Sequence, residues 1–173
     1  MKIIKDRSYK KIKDLYRKAF PKEERAPFFV LKSRDNRADC WSIYDNENWI
    51  GFAYVIVYKN LAYLFYFAID ENQRGKEYGS RTIQLLKEEY KDKKLFLAIE
   101  PLDENANNYD QRVKRHGFYI KNGLKDLPYK IKEDSVVYSI MGTEVVYKDE
   151  YEALIQNYLG FLYKFVDMNI LKE

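Results

Sequence analysis

The chain has 173 residues, of which 46% are hydrophobic and 34% are charged, and its formal net charge is +4. This length and composition are typical of one globular domain with a core of its own. No apolar run approaches the roughly 20 residues that a membrane-spanning helix needs, and the first residues lack the apolar segment of a signal peptide. The single cysteine, Cys40, excludes an internal disulfide, and the single histidine, His116, argues against a multi-histidine metal site. We therefore expect a cytoplasmic protein without a metal.

The first third of the chain predicts two helices followed by a meander of strands. Apolar residues at helical spacing predict a helix over residues 8–20 with Ser8 as its N-cap, and Ala26-Pro27 predicts the first turn of a short helix that continues through Leu31. From Trp41 the pattern changes to aromatic and β-branched runs. These runs predict three antiparallel strands, over residues 41–44, 49–58 and 61–69.

The middle of the chain predicts a strand–helix–strand unit. Gly79, Ile83, Leu86 and Tyr90 fall on one helical face, and residues 95–99 form the continuous apolar run that is typical of a strand buried on both faces. We therefore expect strands 61–69 and 95–99 to be parallel neighbours. The rest of the chain predicts a helix over 111–122, strands over 124–130 and 135–141, and a helix over 149–166.

The loop between the third strand and its helix has an unusual composition. Residues 72–80 read NQRGKEYGS, with two glycines, a serine and the cations Arg74 and Lys76. Small residues let a phosphate approach the backbone N–H groups at a helix N-terminus, where the helix dipole favours negative charge. From the residues alone two interpretations stay open: a tight turn with solvated cations, or a cradle for a phosphate-bearing ligand.

The residues around this loop resemble motif A of the Gcn5-related N-acetyltransferases (the GNAT superfamily). The signature of that family, Gln/Arg-x-x-Gly-x-Gly/Ala, falls on Arg74, Glu77 and Gly79, so that Glu77 replaces the first glycine. The segment Phe118–Leu124, which reads FYIKNGL, is similar to the family's Phe-Tyr-x-x-x-Gly-Phe. The resemblance covers about residues 1–141 in the same element order, and the stretch Phe20–Arg25, which reads FPKEER, is similar to small bacterial members.

The resemblance implies roles for named residues. Backbone groups of the motif A strand would grip the pantetheine arm, and the loop would bind the pyrophosphate of acetyl-coenzyme A. Tyr119 would protonate the departing thiolate. Glu100, at the end of the buried strand, would act as the general base, would hold the substrate ammonium, or would simply begin the next loop. The implied cofactor-binding residues are Phe67, Ala68, Ile69, Arg74, Gly75, Lys76, Glu77, Tyr78, Gly79, Ser80, Asn108 and Arg112, where Asn107, Asn108 and Arg112 could each be a helix cap instead.

The expected fold is therefore α/β: a mixed, mostly antiparallel sheet with one parallel pair, flanked by helices. We expect an acetyltransferase-like domain over residues 1–146. A helical extension over 147–173 would pack on the same domain or on a partner in a homodimer. The expected activity is acetyl transfer from acetyl-CoA to a primary amine of a small molecule or peptide, by direct attack. The alternatives are a non-catalytic acyl-CoA-binding sensor or scaffold and, with less support, a nucleic-acid-binding module, because the cations alternate with acids instead of forming a basic stripe.

Overall fold

The computed structural model describes residues 1–5, 9–34, 36–133, 136–165 and 168–172. The sequence patterns assign Ser8 and Val166 to helices and Ser135 to a strand, but these three residues lie outside the described ranges. The described strands are β1 (Lys2–Lys5), β2 (Ala38–Asp45), β3 (Asn48–Tyr58), β4 (Leu61–Ile69), β5 (Lys94–Ile99), β6 (Lys125–Glu133), β7 (Val136–Gly142) and β8 (Met168–Lys172). The described helices are α1 (Tyr9–Ala19), α2 (Phe28–Ser33), α3 (Tyr78–Glu89), α4 (Tyr109–Lys121) and α5 (Lys148–Leu159).

The chain divides into two compact units, which are described separately. The first unit comprises Met1–Val57 and Leu64–Glu89, and its strands follow the order β1-β2-β3-β4. The ring of Tyr16 on α1 lies 4.8 Å from the ring of Tyr66 on β4, in an edge-to-face arrangement. The Tyr66 hydroxyl accepts a hydrogen bond from the Ala26 amide at 3.0 Å and donates one to the Glu24 carbonyl at 2.9 Å. These bonds fix the segment between α1 and α2, because a buried phenol needs polar partners for its hydroxyl.

The second unit comprises Tyr58–Tyr63 and Tyr90–Glu173. The start of β4 pairs with β5 in parallel, with Leu61 opposite Lys94 and Tyr63 opposite Phe96. The remaining strands follow in the order β5-β7-β6-β8, and the pairs of β7 with β5 and with β6 are antiparallel. The predicted fold class is therefore confirmed: a mixed α/β protein whose sheet is mostly antiparallel with one parallel pair.

Helix α5 packs against strands β4 and β5 within the second unit. The fully buried ring of Tyr151 lies edge-on to Tyr63 and Phe96, with ring centroids 5.7 and 6.0 Å away. The Glu150 carboxylate accepts two hydrogen bonds of 2.8 Å from the Lys94 ammonium. The buried residues of this helix are Tyr151, Leu154, Ile155 and Tyr158.

The structure corrects the prediction at both ends of the chain. Helix α5 ends at Leu159 and a 3₁₀ turn follows over Gly160–Phe165, whereas the sequence pattern continues the helix to residue 166. The reason is Gly160, whose φ of +60° is outside the helical range. Strands β1 and β8 were not predicted, and β1 pairs antiparallel with β2 as a four-residue strand at the end of the sheet order.

Candidate active site

The loop between β4 and α3 starts with a short 3₁₀ turn over Glu71–Gln73. Asp70 caps this turn, because its side chain accepts hydrogen bonds from the backbone and side-chain nitrogens of Asn72 at 2.9 and 3.1 Å. The Lys76 ammonium donates to the Gln73 side-chain oxygen at 3.1 Å. The loop is therefore an ordered turn with its own internal hydrogen bonds.

Two residues of this loop adopt left-handed backbone conformations. Gly75 has a φ of +80° and Glu77 a φ of +58°. A β-carbon at Gly75 would meet no atom within 4 Å, so the requirement for glycine at that position is conformational, not steric. The carbonyl of Glu77 accepts the first backbone bond of α3, from the Arg81 amide at 3.0 Å. Glu77 thus occupies the turn into α3 in a conformation that glycine adopts at lower cost.

The charged side chains of the loop point into solvent around the start of α3. Arg74, Lys76 and Glu77 are all exposed. The first turn of a helix offers backbone N–H groups without intrahelical partners and the positive end of the dipole. Two cations and one carboxylate therefore lie within four residues of the start of α3 in the sequence. Of the other predicted binding residues in this unit, Phe67, Ala68 and Ile69 form the end of β4, and Tyr78, Gly79 and Ser80 form the first turn of α3.

The hairpin formed by β2 and β3 holds both ends of this loop. The Asp70 amide donates to the Ile50 carbonyl at 2.9 Å. Gly51 lies so close to β4 that a β-carbon there would be 2.3 Å from the Ala68 carbonyl oxygen. At the other end, the Tyr78 hydroxyl donates to the Asp45 carboxylate at 2.6 Å.

Glu100 lies in a network of hydrogen bonds and ion pairs in the second unit. Its carboxylate accepts from Asn108 at 3.0 Å and from Arg115 at 2.7 Å, and it lies 3.1 Å from the Arg112 guanidinium. Burial alone would raise the pKa of Glu100, but the hydrogen bond from Asn108 and the charges of Arg115 and Arg112 outweigh it and lower the pKa. Glu100 is therefore ionised at neutral pH and takes up a proton less readily than an ordinary glutamate.

The same network also engages the two predicted binding residues of this unit. Asn108 accepts a bond from Arg112 Nε at 2.7 Å, and another Arg112 nitrogen donates to the Pro101 carbonyl at 2.9 Å. Asn108 is the N-cap residue of α4, but its side chain makes no capping bond. The structure thus brings Glu100, Asn108 and Arg112 together, and their polar groups bind one another.

Tyr119 lies on α4 with 9% of its surface exposed. Burial raises the pKa of Tyr119 to about 12, and the charge of Arg115 acts in the opposite direction. The hydroxyl is therefore protonated at physiological pH, which is the state that a proton donor requires. The raised pKa also makes the phenol a weaker acid, and the Arg115 charge offsets part of this effect.

Arg115 is the residue of this region that sequence reasoning missed. It binds Glu100 directly, and its charge partly offsets the increase that burial causes in the pKa of Tyr119. It therefore interacts with both predicted catalytic residues. The signal was present as helical spacing, since Arg115 lies four residues before Tyr119 and three after Arg112 on α4. Spacing alone does not show that a guanidinium faces the end of β5.

A pocket of about 350 Å³ opens beside Glu100 in the second unit. Its wall carries acidic, basic and neutral polar side chains, including Glu100, Asp126, Lys130 and Ser139. His116 Nε2 lies 2.9 Å from the Asp126 carboxylate in the same wall. One face of the Glu100 region is thus open to a ligand of small-molecule size.

Within the described residues no group of three or more His, Cys, Asp and Glu side chains is arranged to hold a metal ion. No described helix has the length and apolar character to cross a membrane.

Comparison with known proteins assigns the chain to one family. Residues 9–118, more than half of the chain, match the family model described as "Acetyltransferase (GNAT) family". The chain therefore belongs to the GNAT family of acetyltransferases. A search of curated proteins gives no match.

Solved structures of this family share the fold. A GNAT-family protein from Bacteroides thetaiotaomicron superposes with a TM-score of 0.72 at 20% identity, over 94% of this chain and 98% of that one. An aminoglycoside 6'-N-acetyltransferase complexed with coenzyme A superposes with a TM-score of 0.62 at 16% identity, over 86% and 99%. The ribosomal-protein-S18-alanine N-acetyltransferase from Escherichia coli gives a TM-score of 0.60 at 17% identity, over 86% and 97%. At these identities the likeness concerns the fold.

Proposed function

We propose that this protein transfers the acetyl group of acetyl-CoA to a primary amine of a small molecule or a peptide. The observation that carries the proposal is the loop between β4 and α3, in a chain of the GNAT family. Its backbone turns at Gly75 and Glu77 into the start of α3, and Arg74 and Lys76 stand beside that start. The coenzyme A bound to the aminoglycoside acetyltransferase of the same fold supports this choice of donor.

In this proposal the donor lies along β4 and across the helix start. Backbone groups of Phe67, Ala68 and Ile69 hold the pantetheine arm. The parallel ladder of β4 with β5 ends at Tyr63, so these three residues lie beyond it. The N–H groups of the loop and of the first turn of α3 bind the pyrophosphate, with Arg74 and Lys76 supplying charge.

The chemistry is a direct displacement. The amine nitrogen attacks the thioester carbonyl carbon, a new C–N bond forms, and the C–S bond breaks. The departing sulfur takes a proton from the Tyr119 hydroxyl, and the amine loses a proton to water or to a carboxylate. Such acid catalysis is worth roughly 10²–10⁴ in rate.

Glu100 supports the acceptor side in this proposal. Its lowered pKa and its bonds to Asn108, Arg112 and Arg115 favour a carboxylate that stays ionised. In the wall of the 350 Å³ pocket, this carboxylate anchors Asn108, Arg112 and Arg115 beside the bound acceptor. General-base catalysis by Glu100 is the competing prediction.

The alternative function is a non-catalytic acyl-CoA-binding sensor or scaffold. The observation in its favour is that Glu77 replaces a glycine of the family signature beside the proposed pyrophosphate site. Its backbone is left-handed, and its side chain is a carboxylate. A sensor would bind acetyl-CoA without transferring the acetyl group to any amine. Turnover in an acceptor screen, lost in Tyr119→Phe, would favour the enzyme.

The first test is calorimetric titration of acetyl-CoA into the wild type, Arg74→Glu and Tyr119→Phe. We expect Arg74→Glu to weaken binding and Tyr119→Phe to leave it unchanged, because only the first residue meets the pyrophosphate. Arg17→Glu on α1 is the matched control, since Arg17 is also exposed and the change in net charge is the same. Absence of binding by the wild type at millimolar acetyl-CoA would contradict the proposal. Equal weakening by the two arginine variants would show that only net charge matters.

A further inference from the structure

The first residue of α3 is tied to the end of a strand far away in the chain. The Tyr78 hydroxyl donates to Asp45 Oδ2 at 2.6 Å, across 33 residues of sequence. A phenol that binds a carboxylate at this distance makes a short hydrogen bond of the charge-assisted kind. The other Asp45 oxygen lies 3.9 Å from the Met1 amino group, at the outer limit of an ion pair.

The hydrogen bond also perturbs the titration of the phenol. The bond to Asp45 raises the pKa of Tyr78, with smaller contributions from burial and from the Asp45 charge, while Arg81 acts in the opposite direction. The phenol is therefore protonated at neutral pH and keeps its role as donor.

The bond joins the first residue of α3 to the end of β2, whereas the hydrogen bonds of the preceding loop stay within the loop itself. The residue before Tyr78 is Glu77, in the left-handed conformation, and the residues before that form an exposed turn. The buried residues Ile83 and Leu86 hold α3 further along its length, and the Tyr78 hydroxyl adds a restraint on its first residue. At the other end of the loop, the β2–β3 hairpin fixes Asp70 and Ala68 through Ile50 and Gly51.

We infer that Asp45 is a positioning residue for acetyl-CoA, which acts through the Tyr78 hydroxyl to aim the first N–H groups of α3 at the pyrophosphate. This inference rests on the proposed function, because it takes that helix start as the pyrophosphate site. Neither side chain needs to touch the ligand. The bond fixes the direction of the helix start before the ligand binds, so that less conformational entropy is lost on binding.

The test uses Tyr78→Phe, which removes one oxygen and keeps the ring. We expect KM and Kd for acetyl-CoA to rise about three- to tenfold, less than the full effect of losing a hydrogen bond to a charged group, because this bond acts on the ligand only through the helix start. We expect kcat with a saturating acceptor to stay within about twofold, since the reacting atoms are not involved. Tyr147→Phe is the matched control, because Tyr147 is 62% exposed and lies at the N-cap of α5.

A truncated donor separates positioning from general damage to the fold. S-acetylpantetheine carries the thioester but no phosphate, so its KM should be the same in the wild type and in Tyr78→Phe. A merely structural defect would raise KM for both donors and would lower the melting temperature. Equal increases for the two donors, or no increase for acetyl-CoA, would overturn the inference.

A double-mutant cycle identifies the partner. Asp45→Ala should raise Kd for acetyl-CoA, and Tyr78→Phe should add little in the Asp45→Ala background, since both remove one bond. Asp45→Asn keeps an acceptor oxygen and should restore most of the affinity. Additive effects of the two single changes would overturn the inference and leave the proposed function intact. Failure of the wild type to bind acetyl-CoA would overturn both.

Discussion

Replacement of Glu77 by glycine tests the backbone of the proposed pyrophosphate loop. Glu77 has a φ of +58°, and a left-handed conformation costs a residue with a β-carbon about 1–2 kcal/mol. Glycine avoids this cost but loses about 0.5–1 kcal/mol more conformational entropy on folding than alanine. The balance predicts that Glu77→Gly is about 0.5–1 kcal/mol more stable than Glu77→Ala.

The comparison of Glu77→Gly with Glu77→Ala isolates the contribution of the backbone conformation to stability. Both variants lose the carboxylate, which favours a helix N-terminus by about 0.3–1 kcal/mol, so that loss cancels between them. For a chain of this length the expected difference is about 1–4 °C in melting temperature. Thermal and urea unfolding of the two variants and of the wild type measure it. A Glu77→Gly protein that is less stable than Glu77→Ala would show that residue 77 is not left-handed in solution.

The same pair of variants tests the electrostatics of the loop. Removal of one exposed negative charge near the pyrophosphate should tighten acetyl-CoA binding about two- to fivefold at low salt, and less at high salt. Both variants should show this gain, because both lack the carboxylate. Unchanged affinity in both would mean that the phosphates bind away from residue 77.

Three further predictions concern the buried residues Gly51, Tyr119 and Leu154. Gly51→Ala should destabilise the fold and weaken acetyl-CoA binding, because its β-carbon would lie 2.3 Å from the Ala68 carbonyl oxygen; urea unfolding and calorimetry measure the two effects. The pKa of Tyr119 is raised to about 12 in the folded protein, so its contribution to stability is complete below the reference value of 10.0 and is lost as the pH rises from there towards 12. Unfolding followed between pH 8 and 12 should therefore show a smaller loss of stability in Tyr119→Phe than in the wild type. The exposed control, Tyr147→Phe, should lose as much stability as the wild type. Leu154→Ala should lower the free energy of unfolding by about 2–5 kcal/mol, because Leu154 is fully buried; a change below 0.5 kcal/mol would show that α5 contributes little to the fold.

Most of the fold was predictable because its signals are long and local. The strands of the meander are eight to eleven residues long with aromatic and β-branched residues, and the helix after residue 77 has a clear apolar face. The parallel pairing of β4 with β5 followed from the handedness rule for strand–helix–strand units. The apolar face predicted from Gly79, Ile83 and Leu86 lies on α3, which starts at Tyr78.

The elements that were missed have weak signals. Strand β1 has four residues and exposes Lys2, Ile4 and Lys5, so its sequence shows no buried face. The end of α5 did carry a signal, since Gly160 is the residue type that most often follows a helix. The apolar spacing beyond it continues at Leu162 and favoured a longer helix.

The sequence indicates candidate site residues through motifs, but it does not indicate the partners that these residues bind. The resemblance indicated Arg74, Glu77 and Tyr119 by position. It did not indicate that Asp45 binds Tyr78 or that Arg115 binds Glu100, because these pairs are 33 and 15 residues apart and depend on how the elements pack. A carboxylate at the end of a strand is compatible with several roles until its neighbours are known.

The role of Glu100 can be decided by its pH dependence. If Glu100 is the general base, Glu100→Gln should remove the acidic limb of the kcat/KM profile that the carboxylate sets. If it anchors Asn108, Arg112 and Arg115, the variant should keep the shape of the profile and lose stability instead. The carboxylate has its pKa lowered in the folded protein, so its stabilising effect is present above the reference value of 4.5 and is lost as the pH falls through the folded value.

We expect the anchoring result, because Asn108, Arg112 and Arg115 already bind the two carboxylate oxygens. The melting temperature of Glu100→Gln should lie below that of the wild type at pH 7, and the two should converge as the pH falls below 4.5. Glu104→Gln is the matched control, since Glu104 is exposed in the following loop. Loss of the acidic limb in Glu100→Gln with an unchanged melting temperature would refute the anchoring role, and it would make Glu100 the base that accepts the amine proton.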